Sequence, residues 1–409
     1  MSFGKHFVFS RRMDILPYLL RDGWEGNRRL RQMPFLCQQV KPLYCRKIVP
    51  VISSIPIGIE NFGNSCHLSA VLVAMSSSNV LKKYLLRHRF QSLDSRLEDL
   101  INTLRLVSGQ RWMDGHMVKF KVFRPTSVAN VLLQQGYNVL LPQDAEETWS
   151  KLCQFIENCL RPSKLYGWLS NENVIKGSLF DTCWDSPLFG LEQQKTTCLH
   201  CGYYQSIRLE PIRTIRVSLT ELNMNQKENS FATLFECLES SLKQPEKLEM
   251  PCHRCKCPFL YRYHQVVRLP NVLCIHVERN YWSQKRKRVM KTDQPLLLPK
   301  EFYEDIFYNN HWNPLSLLNR QTQYEKNKSS IYELKAVVRH HGTSIYGHYT
   351  SAVCVSDWKL DGLYSIVDKY PLSSKHWYLV NDTRVEWIDE LQILLSGNIY
   401  MCIYEKETL

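Results

Sequence analysis

The sequence predicts an α+β fold, in which a helical first half is followed by a strand-rich second half. The first half contains two stretches with small or apolar residues at helical spacing and without Pro or Gly. After about residue 205, short runs of β-branched and aromatic residues dominate, and turn-forming residues separate them. Helices and strands that are segregated along a chain are typical of α+β domains.

Residues 1–54 are predicted to form a basic, mostly flexible arm in front of a folded body, residues 55–409. Residues 1–47 contain ten Lys or Arg and three acidic residues, and the whole chain has a formal net charge of +13. The segment RRMDILPYLLRDGW could form a short amphipathic helix of the kind found in some mitochondrial targeting sequences. Asp14 and Pro17 weaken that pattern, so a solvated tail is the favoured interpretation.

The cysteine content predicts an intracellular, cytoplasmic protein. The chain has 15 cysteines, an odd number, and begins without an apolar signal region. In a reducing compartment, cysteine serves as metal ligand, nucleophile or small core residue. The longest strongly apolar run, residues 48–59, has 12 residues, whereas a membrane-spanning helix needs roughly 20. We therefore expect no transmembrane helix.

The two helices are predicted over Asn64 to Arg87 and from Asp144 onwards. The first contains the run LSAVLVAM, and Asp144 is a favourable N-cap residue for the second. The apolar positions of the second helix are Trp149, Leu152, Cys153, Phe155, Ile156 and Leu160. Residues 304–329 are polar and rich in Asn, which predicts an inserted loop.

The segment GIENFGNSCHLSA places Cys66 after two glycine-containing turns and directly before the first helix. The positive end of the helix dipole and free backbone N–H groups would lower the pKa of such a cysteine and could hold an oxyanion. Asn61 and Asn64 add side-chain amides nearby. By itself, a cysteine at a helix start is more often a buried small residue.

Two CxxC pairs predict a metal site. Cys198 and Cys201 form the first pair, Cys252 and Cys255 form the second, and 50 residues separate the pairs. Four thiolates on two hairpins suit tetrahedral zinc. Cys257, His200 and His253 are further candidate ligands. A redox-active CxxC motif is the alternative, but the thioredoxin-like βαβ pattern is missing around these pairs.

The stretch GIENFGNSCHLS resembles the Cys box of the ubiquitin-specific proteases, GLxNxGNTCYxN. The matching residues are Gly58, Asn61, Gly63, Asn64 and Cys66. Ser65, His67 and Ser69 replace the usual Thr, aromatic residue and Asn. The resemblance implies that Cys66 is the nucleophile and that Asn61 is the oxyanion-hole residue.

A second stretch, YELKAVVRHHGTSIYGHYTSAV followed by HWYLVNDTRVEW, resembles the His box of the same family. The resemblance implies that His348 is the general base and that His341 is structural; His340 has no matched role. Trp377, Asn381 and Asp382 match the motif that carries the third triad member. Asn381 is therefore expected to orient His348, and Asp382 is expected to be a secondary polar residue beside the oxyanion.

A third stretch, QDAEET at residues 143–148, resembles the Gln box QDAxEF, with Thr148 in place of the usual Phe. The resemblance implies that Asp144 and Glu147 hold the arginine-containing tail of ubiquitin, through charge-assisted pairs. The alternative is that Asp144 only caps the helix and Glu147 completes a capping box.

Taken together, these motifs imply a papain-like cysteine protease of the ubiquitin-specific type. It would have a thumb at about residues 55–180, zinc-pinned fingers at about 190–270, and a palm made of the remainder. Its structural zinc would be held by Cys198, Cys201, Cys252 and Cys255. Its activity would be thiol-dependent hydrolysis of the isopeptide bond after the C-terminal glycine of ubiquitin, and its partners would be ubiquitin and ubiquitinated proteins.

Two alternatives share this fold: an inactive ubiquitin-binding scaffold and a protease for a ubiquitin-like modifier. Nucleic-acid binding rests on charge alone, without an RRM, zinc-finger or helix-turn-helix pattern, and is not expected. Several stretches are most similar to the mitochondrial outer-membrane branch of the family. The basic arm could provide peripheral contact with an anionic membrane.

Overall fold

The computed structural model describes residues 55–88, 94–109, 112–113, 116–117, 122–160, 186–219, 231–243, 245–307, 330–344, 346–355 and 375–407. The predicted arm, residues 1–54, and most of the predicted inserted loop, residues 308–329, lie outside these ranges. Among the described helices, none is long and apolar enough to cross a membrane.

The helices concentrate in the first half of the described chain. They are α1 (Cys66–Ser77), α2 (Asn79–His88), α3 (Ser95–Val107), α4 (Thr126–Gln134), α5 (Ala145–Leu160), α6 (Leu234–Lys243) and α7 (Leu391–Leu394). A short 3₁₀ helix covers Glu304–Phe307.

The strands concentrate in the second half. They are β1 (Gly58–Ile59), β2 (Trp112–Met113), β3 (His116–Met117), β4 (Val122–Phe123), β5 (Gly190–Thr197), β6 (Tyr204–Ile212), β7 (Thr214–Ser218), β8 (Ala232–Thr233), β9 (Glu246–Leu248), β10 (Leu260–Arg268), β11 (Val272–Glu278), β12 (Asn280–Ser283), β13 (Arg288–Lys291), β14 (Leu296–Leu297), β15 (Glu301–Tyr303), β16 (Ile331–Gly342), β17 (Gly347–Val355), β18 (His376–Asn381), β19 (Arg384–Trp387), β20 (Leu395–Ser396) and β21 (Ile399–Lys406). This segregation confirms the predicted α+β class.

The central sheet has the strand order β19-β18-β17-β16-β21-β11-β7, and β15 pairs with the first three residues of β16, before the part that pairs with β17. Its pairs are antiparallel except for β11 with β7. Helix α1 packs on this sheet, and 11 of its 12 residues are buried. A helix that is buried on all sides needs apolar or small residues all round, which explains the run LSAVLVAM.

The first predicted helix is interrupted at Ser78, where the prediction of one continuous helix over Asn64 to Arg87 is wrong. Ser78 has an extended backbone, and its Oγ accepts a hydrogen bond from the backbone N–H of Leu81 at 3.0 Å. The Ser78 hydroxyl donates to Glu405, which also accepts from the N–H of Val80. A carboxylate from the last strand thus caps α2, and a contact across more than 300 residues has no local signal.

The second predicted helix is confirmed as α5. Asp144 caps it, because its Oδ1 accepts from the backbone N–H of Glu146 at 2.6 Å. Of the predicted apolar stripe, Trp149, Leu152, Cys153, Phe155 and Ile156 are buried, and Leu160 is half-buried. This stripe packs with α1 and α3 in one core cluster with residues of the central sheet.

A separate four-stranded antiparallel sheet has the order β6-β5-β10-β9. It covers most of the region that the sequence assigned to fingers. At one end of β5 and before the start of β10, this sheet carries the four cysteines of the two CxxC pairs.

Candidate active site

Cys66 is the first residue of α1 and is 9% exposed. The turn before it needs Gly63, which has φ +90°, a backbone conformation that residues with a Cβ rarely adopt. Burial raises the pKa of the Cys66 thiol, although backbone N–H groups, first that of Tyr349, act in the opposite direction. The expectation that the helix start lowers this pKa is therefore wrong in its net direction, because desolvation outweighs the backbone dipoles.

Cys66 lies beside the strand that carries the candidate base. The backbone N–H of Tyr349, which follows His348 on β17, acts on the Cys66 sulfur. Helix α1 reaches this position because it packs across β17 and β16 in the core, where Leu72 is fully buried. A cysteine in the first half of the chain and a histidine 282 positions later are thus brought together at the start of β17, an inner strand of the sheet.

His348 is the second residue of β17 and contacts Asn381, the last residue of the adjacent strand β18. The distance from His348 Nε2 to Asn381 Oδ1 is 2.8 Å. An amide oxygen only accepts, so the imidazole carries its proton on Nε2 and presents the lone pair of Nδ1. This is the tautomer that a base needs if Nδ1 is to take a proton from a thiol. Asp382 lies farther from His348, at 3.8 Å between Oδ2 and Nε2.

Asn61 is held in one orientation by two neighbours. Its Oδ1 accepts from the backbone N–H of Ser65 at 3.1 Å and from the Ser65 hydroxyl at 3.3 Å. Its Nδ2 donates to Oδ2 of Asp382 at 3.2 Å. The amide therefore points its N–H groups away from the α1 turn and towards the loop after β18. Asp382 thus fixes the direction of the amide, and the second N–H of Asn61 has no partner among the described residues.

The turn that carries Asp382 packs directly on β1. The N–H of Ile59 donates to the carbonyl oxygen of Asp382 at 2.8 Å, and Asp382 has φ +50°. A Cβ added to Gly58 would lie 2.5 Å from the carbonyl oxygen of Thr383. The Cys box and the Asn-Asp turn thus form one unit, and the close approach of two backbones requires glycine at position 58.

We expect Gly58→Ala to lower both stability and activity. The added methyl group cannot fit against the Thr383 backbone, so β1 and the turn must separate, at a cost of about 1–3 kcal/mol. Chemical denaturation and turnover measure the two effects. Gly136→Ala is the control, because Gly136 has φ +78° but open space around it. It should lose stability and keep its turnover per folded molecule, whereas wild-type stability and turnover in Gly58→Ala would contradict this packing.

Two of the departures from the family pattern contact each other. His67 is fully buried, with Nδ1 2.8 Å from Thr148 Oγ1 and Nε2 3.3 Å from the carbonyl oxygen of Val139. The hydroxyl of Tyr137 also lies 2.8 Å from Thr148 Oγ1. Burial lowers the pKa of His67 to about 4, so the ring is neutral. A polar network thus replaces an aromatic pair beneath the nucleophile. The third departure, Ser69, is also buried.

The two carboxylates of the Gln box are exposed at the start of α5. Asp144 serves as the helix cap, and its Oδ2 also accepts from the hydroxyl of Tyr400. The capping interpretation of Asp144 is therefore confirmed, while its side chain remains exposed. Glu147 is also exposed, one turn into the helix. Both side chains remain accessible to a cationic ligand.

The neighbouring histidines bind structural partners. His341 pairs directly with His348 across β16 and β17, and its ring nitrogens lie near Asn398 Nδ2 at 2.9 Å and Thr350 Oγ1 at 3.3 Å. The ring of His340 packs on Tyr349, with a centroid distance of 4.6 Å. Sequence reasoning missed Asn398, because it comes from a turn that no motif singled out.

The four cysteines of the CxxC pairs converge at the tip of the separate sheet. Their sulfur atoms all lie within 4.8 Å of one another, with Cys198 to Cys255 at 3.6 Å and Cys201 to Cys252 at 3.7 Å. A tetrahedron with metal–sulfur bonds of about 2.3 Å has edges of about 3.8 Å, so the set fits a metal ion. The distances are too long for disulfides. Backbone N–H groups, first that of Cys201, lower the pKa of Cys198 to about 6, which favours the thiolate.

Solved structures share this fold. The SAGA Ubp8/Sgf11/Sus1/Sgf73 DUB module bound to ubiquitin aldehyde matches with a TM-score of 0.58 at 17% identity, and covers 91% of this chain and 75% of that one. The same module bound to monoubiquitin matches with a TM-score of 0.59 at 16% identity, over 91% of this chain and 74% of that one. These likenesses confirm the predicted ubiquitin-specific protease fold.

Curated proteins match at similar identity. Human ubiquitin carboxyl-terminal hydrolase 3 is 25% identical over 53% of this chain and 37% of its own length. Bovine ubiquitin carboxyl-terminal hydrolase 2 is 24% identical over 85% of this chain and 54% of its own length. Ubiquitin carboxyl-terminal hydrolase 4 of Arabidopsis thaliana is 24% identical over 81% of this chain and 85% of its own length. The chain thus spans only about a third to a half of the first two relatives.

A family model covers most of the folded body. The model described as ubiquitin carboxyl-terminal hydrolase matches residues 57–404, which include Cys66, His348, Asn381 and the four clustered cysteines. The match begins close to where the described residues begin and ends in the last strand, β21. This chain therefore belongs to the ubiquitin carboxyl-terminal hydrolase family.

Proposed function

We propose that this protein is a thiol-dependent deubiquitinase that hydrolyses the isopeptide bond after the C-terminal glycine of ubiquitin. The observation that carries the proposal is the contact of His348 Nε2 with Asn381 Oδ1 at 2.8 Å, next to the strand position whose backbone N–H acts on Cys66. A buried thiol, a histidine with a free Nδ1 and an acceptor that orients the ring are the parts that nucleophilic thiol catalysis needs.

In this mechanism His348 Nδ1 takes the proton of Cys66 as the sulfur attacks the carbonyl carbon of the terminal glycine. The raised pKa of Cys66 makes this base necessary, because little thiolate forms without it. The remaining N–H of Asn61 and backbone N–H groups at the start of α1 stabilise the oxyanion, at about 3–4 kcal/mol for a good donor. The imidazolium then protonates the leaving lysine amine, and neutral His348 activates the water that hydrolyses the thioester.

Ubiquitin binding is proposed to use the two exposed carboxylates at the start of α5. The Asp144 carboxylate is held at the helix start by the backbone N–H groups of Glu146 and Glu147, and the Glu147 carboxylate is exposed in the first turn of the helix. An arginine-containing tail would form charge-assisted hydrogen bonds with them. Asp144 already caps the helix, so the tail would bind its outer face without displacing the Glu146 N–H.

We further propose that the metal held by Cys198, Cys201, Cys252 and Cys255 is a structural zinc ion. Four sulfur ligands in a closed tetrahedral arrangement are typical of structural zinc, because no position remains open for substrate. The cluster also lies on the separate sheet rather than beside Cys66. The ion would hold the ends of β5 and β10 together and would take no part in the hydrolysis.

Within the family, we propose that the chain is most similar to ubiquitin carboxyl-terminal hydrolase 30, the mitochondrial outer-membrane member. The stretches LPNVLCIHVERNYWSQ, VVRHHG and VEWIDELQILLSGNIYMCIYEK support this. The third triad position differs, since that member has Ser where this chain has Asn381. The cytoplasmic or mitochondrial location and the membrane contact of residues 1–54 stay predictions.

The function is tested by incubating the full chain with a fluorogenic amide of ubiquitin and, in parallel, with the same amide of ubiquitin-like modifiers. We expect release from ubiquitin and much slower release from the others. Release from another modifier alone would support a protease for that modifier. Binding of ubiquitin without any release would support the inactive scaffold.

We expect Asn381→Ala to lower the turnover of the ubiquitin amide less than Cys66→Ala does. Without the acceptor, the His348 ring loses its fixed orientation and tautomer, and a misplaced catalytic group costs about a hundredfold in turnover. Asn381→Asp is the matched control, because its carboxylate also accepts from Nε2 and should keep most of the activity. Steady-state kinetics with the fluorogenic ubiquitin amide measure the turnover of both variants. An Asn381→Ala loss larger than that of Cys66→Ala would overturn the assignment of Asn381 as an orienting residue.

A further inference from the structure

The hairpin formed by β12 and β13 carries a cluster of cations at its tip. Residues 280–291 contain five basic residues and no acidic residue. Lys285, Arg286, Lys287 and Arg288 are consecutive and all exposed. Among the described residues, none of these four is paired with a carboxylate. Within the described part of the chain, the hairpin tip is therefore a compact positive charge without a paired carboxylate.

The backbone of this tip is unfavourable for the residue that it carries. Lys287 has φ +50°, in the left-handed region where Gly or Asn is preferred. The turn closes through the Lys287 N–H, which donates to the Ser283 carbonyl oxygen at 2.8 Å. Gly or Asn would adopt this backbone conformation at a lower energetic cost than lysine. Lys287 instead adds a positive charge to the tip. Backbone positions of this kind are frequent at ligand-contacting sites.

The same hairpin exposes apolar side chains next to the cations. Trp282 pairs with Val289 across the two strands, and these side chains are 55% and 47% exposed. Tyr281, on the opposite face, is 41% exposed. Exposed aromatic residues beside cations are typical of binding surfaces, where the rings supply contact area and the cations supply direction.

The base of the hairpin is fixed to the rim of the candidate active site. Lys291 donates from Nζ to the carbonyl oxygens of His340 at 2.6 Å and Gly342 at 3.2 Å. The Ser344 hydroxyl donates to the carbonyl oxygen of Val289 at 3.3 Å. Gly342 pairs with Gly347, the residue before His348. The strand rise places Arg288 about 10 Å from Lys291, so the cationic tip lies within about that distance of the loop that leads to His348.

The positive charge of the hairpin tip favours an anionic ligand. The tail of ubiquitin, with its arginines, is matched by Asp144 and Glu147 and would be repelled by the hairpin. The other half of an isopeptide substrate is the protein whose lysine carries ubiquitin, and this half must also pass the rim of the site. We propose that the hairpin of β12 and β13 binds an acidic segment of the ubiquitinated protein, near the modified lysine. This inference rests on the proposed deubiquitinase activity.

The test compares two isopeptide substrates of the full chain. In one, ubiquitin is linked to the lysine of a peptide with four flanking Asp or Glu residues; in the other, those four are Asn or Gln. Wild-type protein should cleave the acidic substrate with a kcat/KM about tenfold higher at low salt, since several exposed charge pairs add up. Added salt should reduce this ratio.

The hairpin variant combines Lys285→Gln, Arg286→Gln, Lys287→Gln and Arg288→Gln. We expect it to cleave both peptides equally and to keep wild-type turnover of the fluorogenic ubiquitin amide, which has no acidic segment. The control variant combines Arg11→Gln, Arg12→Gln, Arg28→Gln and Arg29→Gln, which changes the net charge by the same amount. It should keep the tenfold preference.

The proposal is overturned if wild-type protein does not distinguish the two peptides, or if the hairpin variant keeps the preference. It is also overturned if the arm control loses the preference equally, because the effect would then be one of net charge. Hairpin-dependent binding to phosphatidylserine vesicles without a peptide preference would assign the surface to a membrane instead. If wild type does not cleave the fluorogenic amide, the deubiquitinase proposal fails. Fluorescence anisotropy of the free acidic peptide with wild type and the hairpin variant then decides the docking surface separately.

Discussion

Cys66→Ala will abolish ubiquitin release while leaving ubiquitin binding intact. Removal of a nucleophile lowers turnover by at least about a thousandfold, because the remaining groups cannot form the covalent intermediate. The substitution removes one sulfur atom at the start of α1 and leaves the helix contacts of the following residues unchanged. Single-turnover cleavage of the ubiquitin amide and a direct binding assay measure the two properties.

The matched control is Cys159→Ala on α5. Cys159 is half-buried, and its sulfur contacts Asp94 rather than any residue of the candidate site. This variant should retain wild-type turnover. If Cys66→Ala cleaves at the wild-type rate, Cys66 is not the nucleophile. Weak ubiquitin binding by Cys66→Ala would mean that the thiol contributes to substrate affinity as well as to chemistry.

Cys198→Ser will remove the metal and loosen the separate sheet. The cluster contains few apolar residues besides its own cysteines, so this end of the sheet depends on the ion for its order. Structural zinc contributes about 10–16 kcal/mol to the folding of isolated zinc-finger peptides. We expect about one zinc per wild-type chain by mass spectrometry, none in the variant, and an earlier thermal transition that a chelator reproduces in wild-type protein.

Cys257→Ser provides the control for ligand identity. Cys257 packs against the cluster, but its sulfur is not among the four that converge. The variant should keep its zinc and its thermal transition. Zinc loss in Cys257→Ser together with zinc retention in Cys255→Ser would exchange the two assignments. Wild-type protein without any bound metal would refute the zinc proposal.

The positions of the candidate site residues were accessible from the sequence because motifs fix them locally. The Cys box already places Cys66 at a helix start, and the two strands of the His box bring His348 and Asn381 to adjacent strand ends. The two CxxC pairs likewise predict their own convergence. In each instance a short sequence motif determines the backbone geometry of a few residues. The tertiary fold then brings these motifs together.

The features that the sequence could not predict depend on partners far along the chain. Glu405 interrupts the first helix by capping α2 at Ser78. His67 and Thr148 each look unfavourable alone, and only their contact of 2.8 Å explains both. The direction of the Cys66 pKa shift depends on how deeply tertiary packing buries the thiol. Burial and pairing across distant segments carry no local pattern.

The most direct test of the account is to label the full chain with a ubiquitin vinyl-sulfone probe and to locate the adduct by mass spectrometry. The chain has 15 cysteines, so the modified site discriminates between them. We predict one ubiquitin per chain, attached to Cys66, and loss of labelling in His348→Ala. An unlabelled wild-type chain, or an adduct at any other cysteine, would contradict it.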